Sequence, residues 1–178
     1  MTEITIRAAT AVDIVAIAAI YRPAVLHGTA SFEIDPPDDA EMARRFAAIT
    51  DSGFPYLVAE NQGGVVGYAY ANAFRPRPAY RFTVEDSIYV APEAKGKGIG
   101  RSLLDRLIEI TTAAGFRQMI AVIGDSAQVP SIQLHRRAGF QFAGTYHAVG
   151  FKHGRWLDTV LMQRALGAGD TLPPPDQG

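Results

Sequence analysis

The run Lys95-Gly96-Lys97-Gly98-Ile99-Gly100-Arg101 places three glycines and three cations within seven residues, after the strand-like segment Ser87-Ile88-Tyr89-Val90. Glycine lets a backbone approach a ligand closely, and a helix start offers unpaired amides at the positive end of its dipole, a combination that holds phosphate. Lys95, Lys97 and Arg101 add charge of the right sign. The spacing is not the G-x-x-x-x-G-K-S/T of an ATP-binding loop. Nor is it the G-x-G-x-x-G of a dinucleotide fold, which follows a first strand, whereas this turn follows a fourth. Taken alone, the glycine triplet fits a helix start without a ligand equally well.

The elements that must position this turn can be read from period and punctuation. Residues 4–7 alternate as a short strand, and residues 11–21 are apolar densely enough for a largely buried helix. Residues 22–39 contain Pro23, Gly28, Pro36 and Pro37 and read as a long loop, a type of segment that often carries function. Residues 41–49 form a second helix. Residues 56–60 and 65–74 flank Gly63-Gly64 as a hairpin, and residues 83–90 extend it to a three-strand meander. Over 98–114, Ile99, Leu103, Leu107, Ile110 and Ala114 recur on one helical face, ended by Gly115. The apolar stretch 118–123 then makes residues 83–123 a strand–helix–strand unit with a parallel pair, the place where a ligand should sit. A helix over 130–138 and two strands over 141–151 and 155–163 complete the pattern. The fold class is mixed α/β, with one domain over 1–166 and an unstructured proline-rich tail over 167–178.

Composition removes whole classes of function. The 178 residues carry 17 Lys+Arg against 18 Asp+Glu, a formal charge of −1, which argues against a dedicated nucleic-acid binder. No cysteine is present, so disulfides, thiolate metal centres and protein-thiol catalysis are excluded. His27, His135, His147 and His153 have no ligand spacing, and no metal site is expected. No apolar run is long enough to span a membrane and the N-terminus lacks signal-peptide character, giving a cytoplasmic expectation.

The order of elements from residue 4 to residue 163 resembles the GNAT N-acetyltransferase superfamily, whose turn reads Gln/Arg-x-x-Gly-x-Gly/Ala. Lys95-Gly96-Lys97-Gly98-Ile99-Gly100 matches it with Lys95 in the first place. Within that superfamily, several segments resemble the phosphinothricin and methionine sulfoximine N-acetyltransferase group. They are Phe74-Arg75-Pro76-Arg77, Thr83-Val84-Glu85-Asp86-Ser87-Ile88-Tyr89-Val90, Ala121-Val122-Ile123-Gly124, Leu134-His135-Arg136-Arg137-Ala138-Gly139-Phe140 and Gly150-Phe151-Lys152-His153-Gly154-Arg155-Trp156-Leu157-Asp158. The resemblance implies transfer of acetyl from acetyl-CoA to the amino group of a small amino-acid-like acceptor, by direct attack through a tetrahedral intermediate. It assigns acetyl-CoA to Ile88, Tyr89, Val90, the turn from Lys95 to Arg101, Gln128 and Ser131. Gln128 stands where the group carries Asn.

For catalysis the resemblance implies Glu85 as general base, because an α-amino group with a pKa of about 8 is mostly cationic at neutral pH. His135 occupies the position of the group's catalytic His, as proton donor to sulfur or as second base, and a backbone amide near Val90 holds the oxyanion. The acceptor pocket is assigned to Phe32, Glu33, Arg75, Pro76, Arg77, Glu85, Asp86 and Ser87, with the guanidinium of Arg75 matching a carboxylate or phosphinate by paired hydrogen bonds. Trp156 and Asp158 read as strand and dimer-contact residues, and a homodimer is expected. Two alternatives stay open: a different amine acceptor such as a polyamine, an aminoglycoside or a protein N-terminus, and a sensor that binds acetyl-CoA without turning it over.

Overall fold

The computed structural model describes residues 4–174. Along the chain run β1 (Thr5–Ala8), α1 (Ile14–His27), α2 (Asp39–Asp51), β2 (Tyr56–Asn61), β3 (Gly64–Ala73), β4 (Thr83–Val90), α3 (Ile99–Ala113), β5 (Gln118–Gly124), α4 (Val129–Arg137), β6 (Gln141–Lys152) and β7 (Arg155–Ala165). The strands make one seven-stranded sheet in the order β1-β2-β3-β4-β5-β7-β6. Strands β1 to β4 are successive antiparallel neighbours, β4 and β5 are parallel, and β7 runs antiparallel to both β5 and β6. The meander and the parallel pair therefore stand where the alternation placed them. In the last hairpin β7, not β6, lies against β5, which leaves β6 on the edge.

Successive side chains of a strand point to opposite faces, and β4 uses this to separate two environments. Tyr89 meets Tyr21 of α1 edge-on, with ring centroids 4.9 Å apart. Its neighbour Val90 lies on the other face, toward Gly100 of α3. Helix α1 thus covers one face of the sheet and α3 the other, and Val58, Ala59, Tyr68, Ala69, Val84, Met119 and Ala121 are buried between them. The hydrophobic effect over these fully buried side chains is the main force holding the layers together.

Helix α1 differs from the sequence expectation at its end. It continues through Pro23 to His27, so the loop begins at Gly28 rather than at residue 22. A proline inside a helix removes one hydrogen bond and crowds the preceding turn, at about 3 kcal/mol. Complete burial of Ile17 and Val25 on either side of it offsets that cost. The helix is also less buried than its composition suggests, because Val15 is 66% exposed. In α3 the buried stripe is Ile99, Leu103, Leu104, Leu107, Ile108 and Thr111, drifting away from Ala114, which is exposed. Residues 167–174, placed by composition in the unstructured tail, form turns in which Gly169 N donates to Leu166 O and Thr171 N to Ala168 O. The remainder of that tail, 175–178, lies outside the described residues. Among the described residues no helix is long and apolar enough to cross a membrane.

Candidate active site

Strand β4 pairs with β5 only from Thr83↔Gln118 to Asp86↔Ala121, yet it stays paired with β3 as far as Val90↔Gly67. Beyond Asp86 the two parallel strands part, because β5 follows β7 instead. Ala91 N donates to Val66 O and Phe74 N donates to Thr83 O, so the odd-numbered residues of β4 turn their backbone polar groups toward β3. By alternation the amides of Ile88 and Val90 face the opening between the strands.

That opening is one wall of a cleft of about 1040 Å³. It is lined by Ile88, Tyr89 and Val90, by Lys95, Gly96, Gly98, Ile99, Gly100 and Arg101 of the glycine turn, by Gln128 and Ser131 at the start of α4, and by Gly28 and Ala30 after α1. Gly96 and Gly98 adopt φ values of 77° and 82°, in the left-handed region that a side chain disfavours. Gly98 is the residue capping α3 and makes no side-chain cap, so the first amides of the helix are left for a ligand. Gly100 has a different reason for being glycine: a Cβ there would lie 3.3 Å from Leu134 Cδ2, where α3 packs on α4. Uncapped amides, an open cradle and nearby cations fit the pyrophosphate of acetyl-CoA.

Of the sequence-assigned cleft residues, Lys97 is the exception. Its Nζ donates to Glu93 O at 3.0 Å within its own turn, and it does not line the cleft. Arg101 lines the cleft while its guanidinium is held by Asp105 Oδ2 and by the carbonyl of Arg137. Arg137 itself, on the last turn of α4, lines the opposite wall and was missed. The available signal was the basic run His135-Arg136-Arg137. Gln128 lines the cleft but commits its Nε2 to Thr29 Oγ1 at 3.0 Å, tying the α1–α2 loop to the start of α4.

On the α1 face of β4 stand Glu85, Ser87 and Tyr89. Burial pushes the Glu85 carboxyl up to about 6; the adjacent Asp86 charge adds to this and Arg75 opposes it. Tyr70 lies beside Ser87 and within the electrostatic reach of Glu85, Glu33 and Arg45, which places these groups around one region. Arg75 lies 5.1 Å from the Phe74 ring centroid, Pro76 follows it in the bend, and Arg77 precedes the short turn Pro78–Tyr80.

Phe32 and Glu33 lie on the loop after α1, and each is fixed. The Phe32 ring rests on Gly124 and Gly150, where an added Cβ would come within 2.9 Å and 2.4 Å of it. Glu33 accepts from Tyr21 Oη at 2.8 Å and from Arg45 Nη1 at 2.6 Å, which holds its carboxyl below the usual range against the cost of burial. The buried Lys152 adds a third tether by donating to Ser31 O at 2.7 Å. None of these long-range partners is visible as a sequence spacing.

Two of the assigned residues lie away from the cleft. Asp86, expected in the acceptor pocket, points to the face opposite Glu85 and is buried there. It meets His135, whose Nε2 lies 2.9 Å from Asp86 Oδ2 and whose Nδ1 lies 2.8 Å from Ser131 O. His135 is 4% exposed, packs edge-on against Phe140, and does not line the cleft. The cause is the alternation of β4, which sends neighbouring residues 85 and 86 to different sides.

Known proteins agree with this geometry. The family description "Acetyltransferase (GNAT) domain" matches residues 6–161. A phosphinothricin N-acetyltransferase of Alcaligenes faecalis is 55% identical over 170 residues, covering 96% of this chain and 86% of that protein. An L-methionine sulfoximine/L-methionine sulfone acetyltransferase of Pseudomonas paraeruginosa is 42% identical, covering 95% of this chain and 98% of its own. The crystal structure of a GNAT superfamily phosphinothricin acetyltransferase from Sinorhizobium meliloti, in complex with AcCoA, superimposes with a TM-score of 0.95 at 56% identity, covering 98% of this chain and 94% of the other. The splayed parallel pair, the left-handed glycine turn at the head of α3 and these likenesses together establish that the chain belongs to the GNAT acetyltransferase family.

Proposed function

We propose that this acetyl-CoA-dependent N-acetyltransferase acts on the amino group of a small amino-acid-like acceptor of the phosphinothricin, methionine sulfoximine or methionine sulfone type. The observation that carries the reading is the sequence of roles along β4. A carboxyl with its pKa pushed up to about 6, Glu85, stands on the face toward the α1–α2 loop, and the free amides of Ile88 and Val90 follow at the cleft. The acetyltransferases named above supply the acceptor class.

Each residue then has a task. The amides at the head of α3, with Lys95 and Arg137, bind the pyrophosphate end of acetyl-CoA. Arg75 pairs with the anionic end of the acceptor, and Phe32 and Glu33 shape its pocket from the tethered loop. Glu85 is ionised above about pH 6 and removes the proton that keeps the acceptor amine from attacking. The amide of Val90 donates to the acetyl oxygen as negative charge develops on it. The departing thiolate, conjugate base of an acid with pKa of about 8.5, is a good enough leaving group to need no protein acid.

The working unit is residues 1–166, assembled as a cytoplasmic homodimer. Phe151 and Trp156 form a cross-strand pair 58% and 64% exposed, with Phe142, Tyr146 and Val149 exposed on the same edge strand, an apolar surface suited to a second copy. A polycationic acceptor is disfavoured, because the positive charge of Arg75 reaches Glu85. The test is release of free CoA, followed with a thiol reagent to which the cysteine-free protein is silent. Phosphinothricin, methionine sulfoximine, methionine sulfone and spermidine are compared at one concentration. Turnover confined to the first three is expected; preference for spermidine would sink the acceptor assignment.

A further inference from the structure

Asp125 follows β5 in the turn that leads into α4, and it is buried, with a φ of 68° in the left-handed region that residues other than glycine rarely adopt. Three donors hold its carboxylate there. Thr29 Oγ1 and Arg155 Nη2 each donate to Oδ2 at 2.6 Å, and Ala127 N donates to Oδ1 at 3.0 Å. Burial works against the charge of this carboxyl, and the three donors hold its pKa below the usual range in spite of it. An ionised carboxylate can only accept, so the single hydroxyl hydrogen of Thr29 is spent on Asp125. Thr29 Oγ1 is thereby left as an acceptor, and Gln128 Nε2 donates to it at 3.0 Å. The residue before Asp125 permits this closeness: a Cβ on Gly124 would lie 2.9 Å from Thr29 O and 3.1 Å from Ala30 O.

The hydroxyl joins two walls of the cleft. Gly28 and Ala30, on either side of Thr29, line it from the loop after α1, and Gln128 lines it from the start of α4. Farther along the same loop, Phe32 rests on Gly124 and Gly150, and Glu33 is held by Tyr21 and Arg45. The acceptor end of the loop therefore has tethers of its own. We propose that Thr29 is a positioning residue whose hydroxyl, aligned by Asp125, clamps the loop after α1 to the start of α4 and so sets the spacing of the Gly28–Ala30 and Gln128 walls around acetyl-CoA.

The proposal rests on the assignment of the cleft to acetyl-CoA, so wild-type binding is measured first by titration calorimetry; no binding at that step counts against the assignment itself. Thr29→Val then keeps the branched shape of the side chain and removes the hydroxyl, whereas Thr29→Ser keeps the hydroxyl. The expected result is acetyl-CoA bound about tenfold more weakly by Thr29→Val, as loss of a hydrogen bond to a charged group implies, with the acceptor KM within about twofold of the wild type. Thr29→Ser should bind as the wild type does. Ser126→Ala is the control, because it removes the bond from Ser126 Oγ to Asp158 Oδ2 in the same turn without touching the loop, and it should leave the affinity unchanged. Wild-type affinity in Thr29→Val, whatever its thermal stability, would overturn the proposal. So would an equal loss in Thr29→Ser or in Ser126→Ala. Should Thr29→Val not fold, Thr29→Ala carries the same expectation and the same refutation.

Discussion

On the proposed reading Arg75 and Glu85 divide the work on the acceptor, and their chemistry separates in kinetics. A guanidinium that binds an anionic end contributes mainly to KM, whereas a base contributes to kcat. Arg75→Ala is expected to raise KM for phosphinothricin by about 10- to 100-fold, as charge-assisted hydrogen bonds of roughly 1.5–3 kcal/mol imply, while acetyl-CoA affinity stays the same. Unchanged acceptor KM in steady-state assays would remove Arg75 from the pocket. At this scale residue identity was legible and residue direction was not. Glu85 and Asp86 are adjacent in the sequence, and only the strand register reveals that they serve opposite faces. Lys97 likewise has the right charge at the right spacing and turns to Glu93 O.

On the proposed reading the head of α3 is the element on which acetyl-CoA binding depends. Gly98→Ala forces a Cβ into a left-handed backbone at φ 82°, costing about 1–2 kcal/mol, and disturbs the amides at the head of the helix. Thermal unfolding should show the loss of stability and titration calorimetry a weaker affinity for acetyl-CoA. Gly53→Ala, at φ 80° after α2, is the control: a similar loss of stability with affinity intact. Equal affinity in Gly98→Ala and the wild type would separate the turn from the ligand. The turn could be read in the sequence because glycine content, a preceding strand and a following amphipathic helix are all local signals. The run of α1 through Pro23 could not, since it depends on what Ile17 and Val25 bury against.

For the whole molecule, the order of the sheet decides which surface remains. By lying between β5 and β6, β7 leaves β6 at the edge with Phe142, Tyr146, Val149 and Phe151 exposed, and edge strands with apolar side chains invite pairing. Sedimentation should find a dimer for the wild type and a monomer for Trp156→Glu with Phe151→Glu; a monomeric wild type at micromolar concentration would refute the assembly. The sequence showed the β6–β7 hairpin through His153-Gly154, but not its swapped place, because sheet order beyond a parallel pair is a matter of long-range packing. The tethers from Thr29, Ser31 and Phe32 to Asp125, Lys152 and Gly150 were hidden for the same reason.

The role of Glu85 as the base is tested most directly by the pH dependence of kcat/KM for phosphinothricin in the wild type and in Glu85→Gln. Burial raises this carboxyl, so it is protonated and inactive at low pH and becomes competent as pH rises through about 6. A wild-type limb rising near pH 6 is expected, with a Glu85→Gln enzyme at least about 100-fold slower in which that limb is gone. A Glu85→Gln enzyme that keeps both the rate and the limb would contradict it.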